Sequence, residues 1–135
     1  MNDTARNTPP GVPIWPLRAS LVLSGVMGGL GVALLAASAH ADPSGMSGTA
    51  AEMLLFHAPV VLALGILAEL RKVSLVPLAL GLLLIGLTLF CGDLVSRAYI
   101  GLRLFPMAAP TGGLLIIAGW AAIALSAFWI RPNRV

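Results

Sequence analysis

Two histidines are the residues of this chain whose chemistry most suggests a site. His40 and His57 fall in neighbouring apolar segments, with Asp42 and Glu52 close to them in sequence. Imidazole and carboxylate groups together suit zinc or copper, and an ionisable group in an apolar segment is a candidate for function. A metal site needs further ligands at a defined spacing, which the sequence does not offer. We therefore expect two buried, hydrogen-bonding imidazoles that join the first two helices, with metal binding at His40 and His57 as the alternative.

The remaining reactive side chains are few. Asp93 and Arg97 stand four residues apart, a spacing that makes neighbours on a helix, so we expect a local ion pair. Cys91 is the single cysteine, which excludes an intrachain disulfide and favours a packing role. The sequence contains no G-x-S-x-G, H-E-x-x-H, C-x-x-C, P-loop or G-x-G-x-x-G pattern. We expect neither enzymatic activity nor a cofactor.

Four long apolar segments must position these residues. Between Arg18 and Asp42 the chain has 23 consecutive residues without Asp, Glu, Lys or Arg, and three more such stretches follow. A hydrocarbon core of about 30 Å needs about 20 apolar residues of helix. Apolar residues make up 59% of the chain and charged ones 10%, which excludes a soluble domain of this size. The sequence predicts an all-α, integral membrane four-helix bundle, with spans at about 17–39, 50–70, 75–93 and 111–130 and tails at 1–16 and 131–135.

Local signals indicate where the second and third helices begin. The stretch Thr49-Ala50-Ala51-Glu52 has the spacing of a capping box, which predicts a helix start near Thr49. Ser74 is positioned to cap the third helix. Pro59 lacks a backbone N–H, so we expect a kink where it interrupts the second helix.

The end of the first segment has a competing interpretation. Ala39-His40-Ala41, ahead of Asp42-Pro43, has the small-x-small form of a signal-peptidase site, and cleavage there would leave a three-span protein. The apolar core of a secretory signal is about 7–15 residues long, shorter than this segment. We therefore expect the first helix to be retained as a span.

The basic residues predict the orientation, because short segments rich in Lys and Arg stay in the cytoplasm. Six lie in the two tails and the turn between the second and third segments: Arg6, Arg18, Arg71, Lys72, Arg131 and Arg134. The other two turns hold Arg97 and Arg103. We expect both termini in the cytoplasm of a bacterium, with the spans in its inner membrane. The same scatter of basic residues argues against nucleic-acid binding.

Small residues mark the helix faces that can approach closely. Gly25, Gly29, Ala33 and Ala37 recur every four residues on the first helix, and small-xxx-small stripes allow close helix packing in lipid. We expect the first helix to be the packing centre of the bundle. A second close-approach surface is predicted on the fourth helix, at Gly112, Gly113 and Gly119.

Taken in order, these segments resemble the YgdD-type family of small four-helix membrane proteins, domain of unknown function four-two-three, to which the eukaryotic transmembrane protein two-five-six is related. Four elements carry the resemblance: Ala36-Ala37-Ser38-Ala39-His40-Ala41, Phe56-His57-Ala58, Phe90-Cys91-Gly92-Asp93-Leu94, and the Pro-rich turn with Pro106 and Pro110 that leads to Gly112, Gly113, Gly119 and Trp120. The third element departs from the family pattern Phe-Ser-Gly-Ser-Leu, because Cys91 and Asp93 replace two serines.

The resemblance implies a fold and a location but no chemistry. We therefore expect a non-catalytic inner-membrane protein that associates with itself or with a larger membrane complex. The alternatives are a small oligomeric transporter or channel, because four short helices leave little room for a lumen in one copy, and a metal-handling protein that uses the two histidines.

Overall fold

The computed structural model describes residues 15–71 and 73–129, and within these ranges the chain is entirely helical apart from its short turns. The helices are α1, Trp15–Ala41, α2, Met46–Leu70, α3, Val76–Tyr99, and α4, Ala108–Ser126, which ends in the 3-10 turn Ala127–Trp129. The all-α fold is thus confirmed. The predicted tail 131–135 and residues 1–14 of the predicted tail 1–16 lie outside the described residues, with Arg6, Arg131 and Arg134, as do residue 130 and Lys72. Residues 15 and 16 of that tail belong to α1.

All four helices can cross a bilayer. Each contains a strongly apolar window, and α1, α2 and α3 have 27, 25 and 24 residues. At 1.5 Å per residue these helices are about 36–40 Å long, which exceeds the hydrocarbon thickness of about 30 Å. The chain is therefore a multi-pass membrane protein.

The helices pack in the order of the chain. α1 packs on α2, α2 on α3 and α3 on α4, while the backbones of α1 and α4 do not approach each other closely in the described ranges. The core lies around the two central helices and includes Val61, Leu64, Val76, Leu83 and Leu87. The prediction that α1 is the packing centre is therefore wrong: this helix lies at the edge of the bundle. Its apolar residues surround the helix, so hydrophobicity alone did not indicate which face is inside.

The helix ends differ from the predicted spans in three places. α2 begins at Met46, so Thr49 lies within its first turn and donates from Oγ1 to the Gly45 carbonyl instead of forming a capping box with Glu52. α3 has no side-chain cap, so the predicted cap at Ser74 is wrong. α3 also continues to Tyr99, about two turns beyond the predicted end of the span. α2 is continuous through Pro59.

Close helix contacts occur at glycines. A Cβ on Gly86 would lie 2.8 Å from the Gly112 carbonyl oxygen, and one on Gly112 would lie 2.6 Å from the Phe90 nitrogen. The backbones of α3 and α4 therefore touch at this level, and a side chain at either position would force them apart. α1 and α2 also approach closely where a Cβ on Gly65 would lie 2.3 Å from the side chain of Ser20.

Candidate functional site: polar groups between the helices

His57 lies near the middle of α2 and links it to α4. The side chain is 5% exposed, its Nδ1 lies 2.7 Å from the Met53 carbonyl oxygen, and its Nε2 accepts a hydrogen bond of 3.1 Å from Nε1 of Trp120. The two rings meet edge to face with centroids 5.9 Å apart. The predicted buried, hydrogen-bonding histidine is present at this position, but its long-range partner is α4 and not α1.

The partners of His57 determine its tautomer. The Trp120 indole can only donate and the Met53 carbonyl can only accept, so the hydrogen is on Nδ1 and the lone pair is on Nε2. Both ring nitrogens are therefore engaged. A metal ion could bind His57 only by displacing one of these two partners.

His40 lies apart from this contact. It is exposed near the C-terminal end of α1, in a shallow depression that Ser38 and Pro43 also line. The prediction that His40 is buried is therefore wrong, and so is the prediction that the two histidines join α1 to α2. Within 15–71 and 73–129, no three His, Cys, Asp or Glu side chains form a group that could hold a metal ion.

Asp42 organises the turn between α1 and α2. Its carboxylate accepts hydrogen bonds from the backbone and side chain of Ser44 and of Ser47, with Ser44 N 2.9 Å from Oδ1 and Ser47 N 2.7 Å from Oδ2. The hydroxyls of Ser44 and Ser47 hold the pKa of this carboxyl well below its ordinary value. Asp42 thus satisfies orphan N–H groups at the start of α2, the role predicted for Thr49 and Glu52.

The same end of the molecule contains a second buried carboxylate. Asp93 on α3 is 2% exposed, and its Oδ1 accepts from the backbone N–H of Leu104 at 3.0 Å. Arg97 Nη1 lies 3.7 Å from Asp93 Oδ2, which agrees with the predicted ion pair. Ser96 Oγ donates to the Leu102 carbonyl at 2.7 Å. Asp93 and Ser96 together fix the connection between α3 and α4.

Some of the predicted close-approach residues pack against a neighbouring helix, and others lie on the outer surface of the bundle. Gly112 and Gly119 are buried against α3, and Gly113 lies at ordinary contact distance from Phe90. On α1, by contrast, Cβ atoms on Gly25 and Gly29 would have no atom within 4 Å, and Ala33 is exposed. Ala37 is half-buried. The α1 stripe therefore faces away from α2.

Two of the four elements that carry the family resemblance are brought together by these contacts, the second and the fourth. Phe56-His57-Ala58 meets Gly119-Trp120 through the His57–Trp120 hydrogen bond, and Gly92 contacts Leu104 at the fixed connection. Pro110 lies in the first turn of α4, where a missing N–H costs little.

Comparison with known proteins identifies the family of this chain. The family described as "Protein of unknown function (DUF423)" matches residues 27–113. The chain belongs to the DUF423 family. Its match includes the turn with Asp42, the helix with His57 and the connection held by Asp93.

Curated relatives of this DUF423 chain are membrane proteins. The "UPF0382 inner membrane protein YgdD" of Escherichia coli (strain K12) is 31% identical over 131 residues, which cover 87% of this chain and 95% of that protein. The "UPF0382 membrane protein" of Haemophilus influenzae is 34% identical over 80 residues, 59% of this chain and 64% of that protein. No solved structure matches the chain at a significant level. The chain is thus a multi-pass inner-membrane protein.

Several important residues were not found by sequence reasoning. Gly86 and Gly65 make close helix contacts, yet single glycines in an apolar helix carry no distinctive signal. Ser47 and Tyr99 join α2 and α3 through hydroxyls 3.4 Å apart. The Asp42-Pro43-Ser44-Gly45 stretch has the composition of a turn, and Gly45 has a positive φ of 72°.

Proposed function

We propose that this protein is a non-catalytic, self-associating component of the inner membrane, with the outer face of α1 as its association surface. The observation that carries the proposal is the position of the α1 stripe. α1 contacts α2 with one face and presents Gly25, Gly29 and Ala33 on the opposite face, where a Cβ on either glycine would meet open space.

A helix face made of small side chains favours association between helices in lipid. Lipid tails are as apolar as Leu, so membrane helices gain little from hydrophobicity and associate where backbones approach closely. The contacts inside this chain follow that rule, since α3 and α4 meet at Gly86 and Gly112. A second copy of α1, packed against the stripe, would use the same kind of contact.

The polar groups support a structural role for the rest of the molecule. His57, Asp42 and Asp93 each accept or donate hydrogen bonds that join two segments of the chain. A general acid or base must reach the proton that it transfers, and these groups already have partners within the protein.

The test is the dimerisation equilibrium of the full-length protein in liposomes. Copies labelled with donor or acceptor fluorophores are diluted with lipid, and energy transfer is followed. We expect Gly29→Leu to weaken association at least tenfold, because the added side chain holds the two backbones apart.

The matched control is Gly28→Leu. A Cβ on Gly28 would also have no atom within 4 Å, but this residue lies one position away from the stripe. If Gly28→Leu and Gly29→Leu have equal effects, the stripe faces lipid and the proposal fails. If the native protein co-purifies in fixed ratio with a larger membrane protein and not with itself, the accessory-subunit alternative replaces self-association.

A further inference from the structure

A cavity of about 410 Å³ lies between α1, α2 and α3, at the end of the molecule that contains Trp15 and Arg71. It exists because α1 and α3 both pack on α2 but not on each other. The wall is largely apolar and includes Ala19 and Leu23 of α1 and Leu80 of α3. Its volume lies within the range of about 300–1,000 Å³ that is usual for ligand sites.

The cavity also has polar groups in defined places. Arg71 and Ser74 line the cavity between the end of α2 and the start of α3. No side chain caps the first turn of α3. The positive end of the α3 helix dipole makes this region favourable for an anion. Deeper in the wall, Ser20 is 0% exposed, and its Oγ has no hydrogen-bond partner in the described part of the chain.

We propose that this cavity binds one anionic glycerophospholipid, with an acyl chain between α1 and α3 and the phosphate at Arg71, Ser74 and the N-terminus of α3. The three helices are membrane spans, so lipid is the medium around the cavity. The lining is apolar toward the middle of the helices and polar at the end near Arg71. A phospholipid has the same order, with an apolar acyl chain followed by a polar headgroup. Trp15 lies at the polar end, where aromatic side chains commonly meet the headgroups.

Charge selects an anionic lipid over a zwitterionic one. At this end the described basic residues are Arg18 and Arg71, and the described acidic residue is Glu69. Arg71 takes part in another interaction within the chain, but a guanidinium has five N–H donors and can serve a phosphate as well. Basic sites between membrane helices typically bind anionic headgroups.

The test is lipid retention by the full-length protein, measured by native mass spectrometry. The protein is supplied with phosphatidylglycerol or phosphatidylcholine of identical acyl chains. We expect one phosphatidylglycerol per chain, retained at least fivefold better than phosphatidylcholine. Arg71→Gln should remove most of that preference, since each basic residue near the headgroup contributes a factor of about five. Arg103→Gln is the matched control, because Arg103 is an exposed arginine in the turn at the other end of the molecule.

A second variant tests the acyl-chain site. Ala19→Phe fills the cavity from α1, and we expect it to reduce retention of both lipids. Ala63→Phe is the control, since Ala63 is exposed on α2 and does not line the cavity. Phosphatidylglycerol with a photoreactive acyl chain should label Leu23 and Leu80 in the wild-type protein and lose this labelling in Ala19→Phe.

Three outcomes would overturn the proposal. Equal retention of the two lipids, unchanged by Arg71→Gln, would show that no headgroup is recognised. Photolabelling spread over all outer helix faces would show ordinary lipid contact. Efficient disulfide formation between Val12→Cys and Leu80→Cys, in a protein lacking Cys91, would show that the segment before Trp15 occupies the cavity instead.

Discussion

His57 and Trp120 are 63 residues apart in the chain and form the hydrogen bond that links α2 to α4. Both residues belong to elements by which the sequence resembles its family. The indole donates to Nε2, and the imidazole donates from Nδ1 to Met53. This relationship favours a structural role for the histidine, and it can be tested directly.

Trp120→Phe is expected to destabilise the protein by about 1–2 kcal/mol, because it leaves the lone pair of His57 Nε2 buried without a donor. The measurement is the free energy of unfolding in detergent. Trp129→Phe is the control, since Trp129 is exposed beyond the end of α4. In a double-mutant cycle, His57→Ala and Trp120→Phe should not be additive. Additive losses would contradict the hydrogen bond.

Metal analysis distinguishes the structural role of His57 from the metal-handling alternative. We expect purified wild-type protein to contain no stoichiometric zinc or copper, and added metal to leave its thermal stability unchanged. A metal ion would have to displace Trp120 or Met53 from the imidazole. Stoichiometric metal that is lost in both His40→Ala and His57→Ala would contradict this prediction.

Gly86→Ala is expected to destabilise the protein by about 1–3 kcal/mol, whereas Gly25→Ala should have little effect in the monomer. The new Cβ on Gly86 would lie 2.8 Å from a backbone oxygen of Gly112, which cannot move without separating α3 from α4. A Cβ on Gly25 would meet open space. The measurement is thermal unfolding of both variants, with the protein diluted in excess detergent so that it is monomeric. Equal stability of the two would contradict the close contact.

The Asp42 turn predicts a pH dependence. Hydrogen bonds from Ser44 and Ser47 lower the pKa of Asp42 in the folded protein, so its ionised form stabilises the fold. This stabilisation is fully present above the unfolded pKa of about 3.9 and is lost as the pH falls through the lower folded value. Asp42→Asn should therefore lower the melting temperature at pH 7, and the difference from wild type should shrink below about pH 4. A constant difference would contradict this role.

Cysteine labelling tests the orientation. In a Cys91→Ala background, Ser74→Cys should be labelled from the cytoplasm and Pro43→Cys from the periplasm, because the basic residues predict a cytoplasmic turn between α2 and α3. Both positions are exposed, whereas Ser47 is buried and unsuitable for labelling. Labelling of Pro43→Cys from the cytoplasm alone would reverse the proposed topology.

The sequence by itself determined the class of fold. Four uncharged segments of sufficient length require four helices, since the backbone groups of each span must be satisfied within it. The ion pair of Asp93 with Arg97 is a local feature, so spacing along the chain was enough to predict it. The small-residue stripe of α1 could be recognised, but not the surface that it faces.

Only the tertiary structure decided which helices touch and which polar groups meet. The helices are apolar on every side, so hydrophobicity does not select their inner faces, and α1 lies at the edge although its stripe predicted the centre. The partner of His57 is on a helix far along the chain, which no local pattern can indicate. The cavity lies between α1 and α3 because both helices pack on α2 and not on each other. All three features depend on how the helix surfaces fit together in three dimensions.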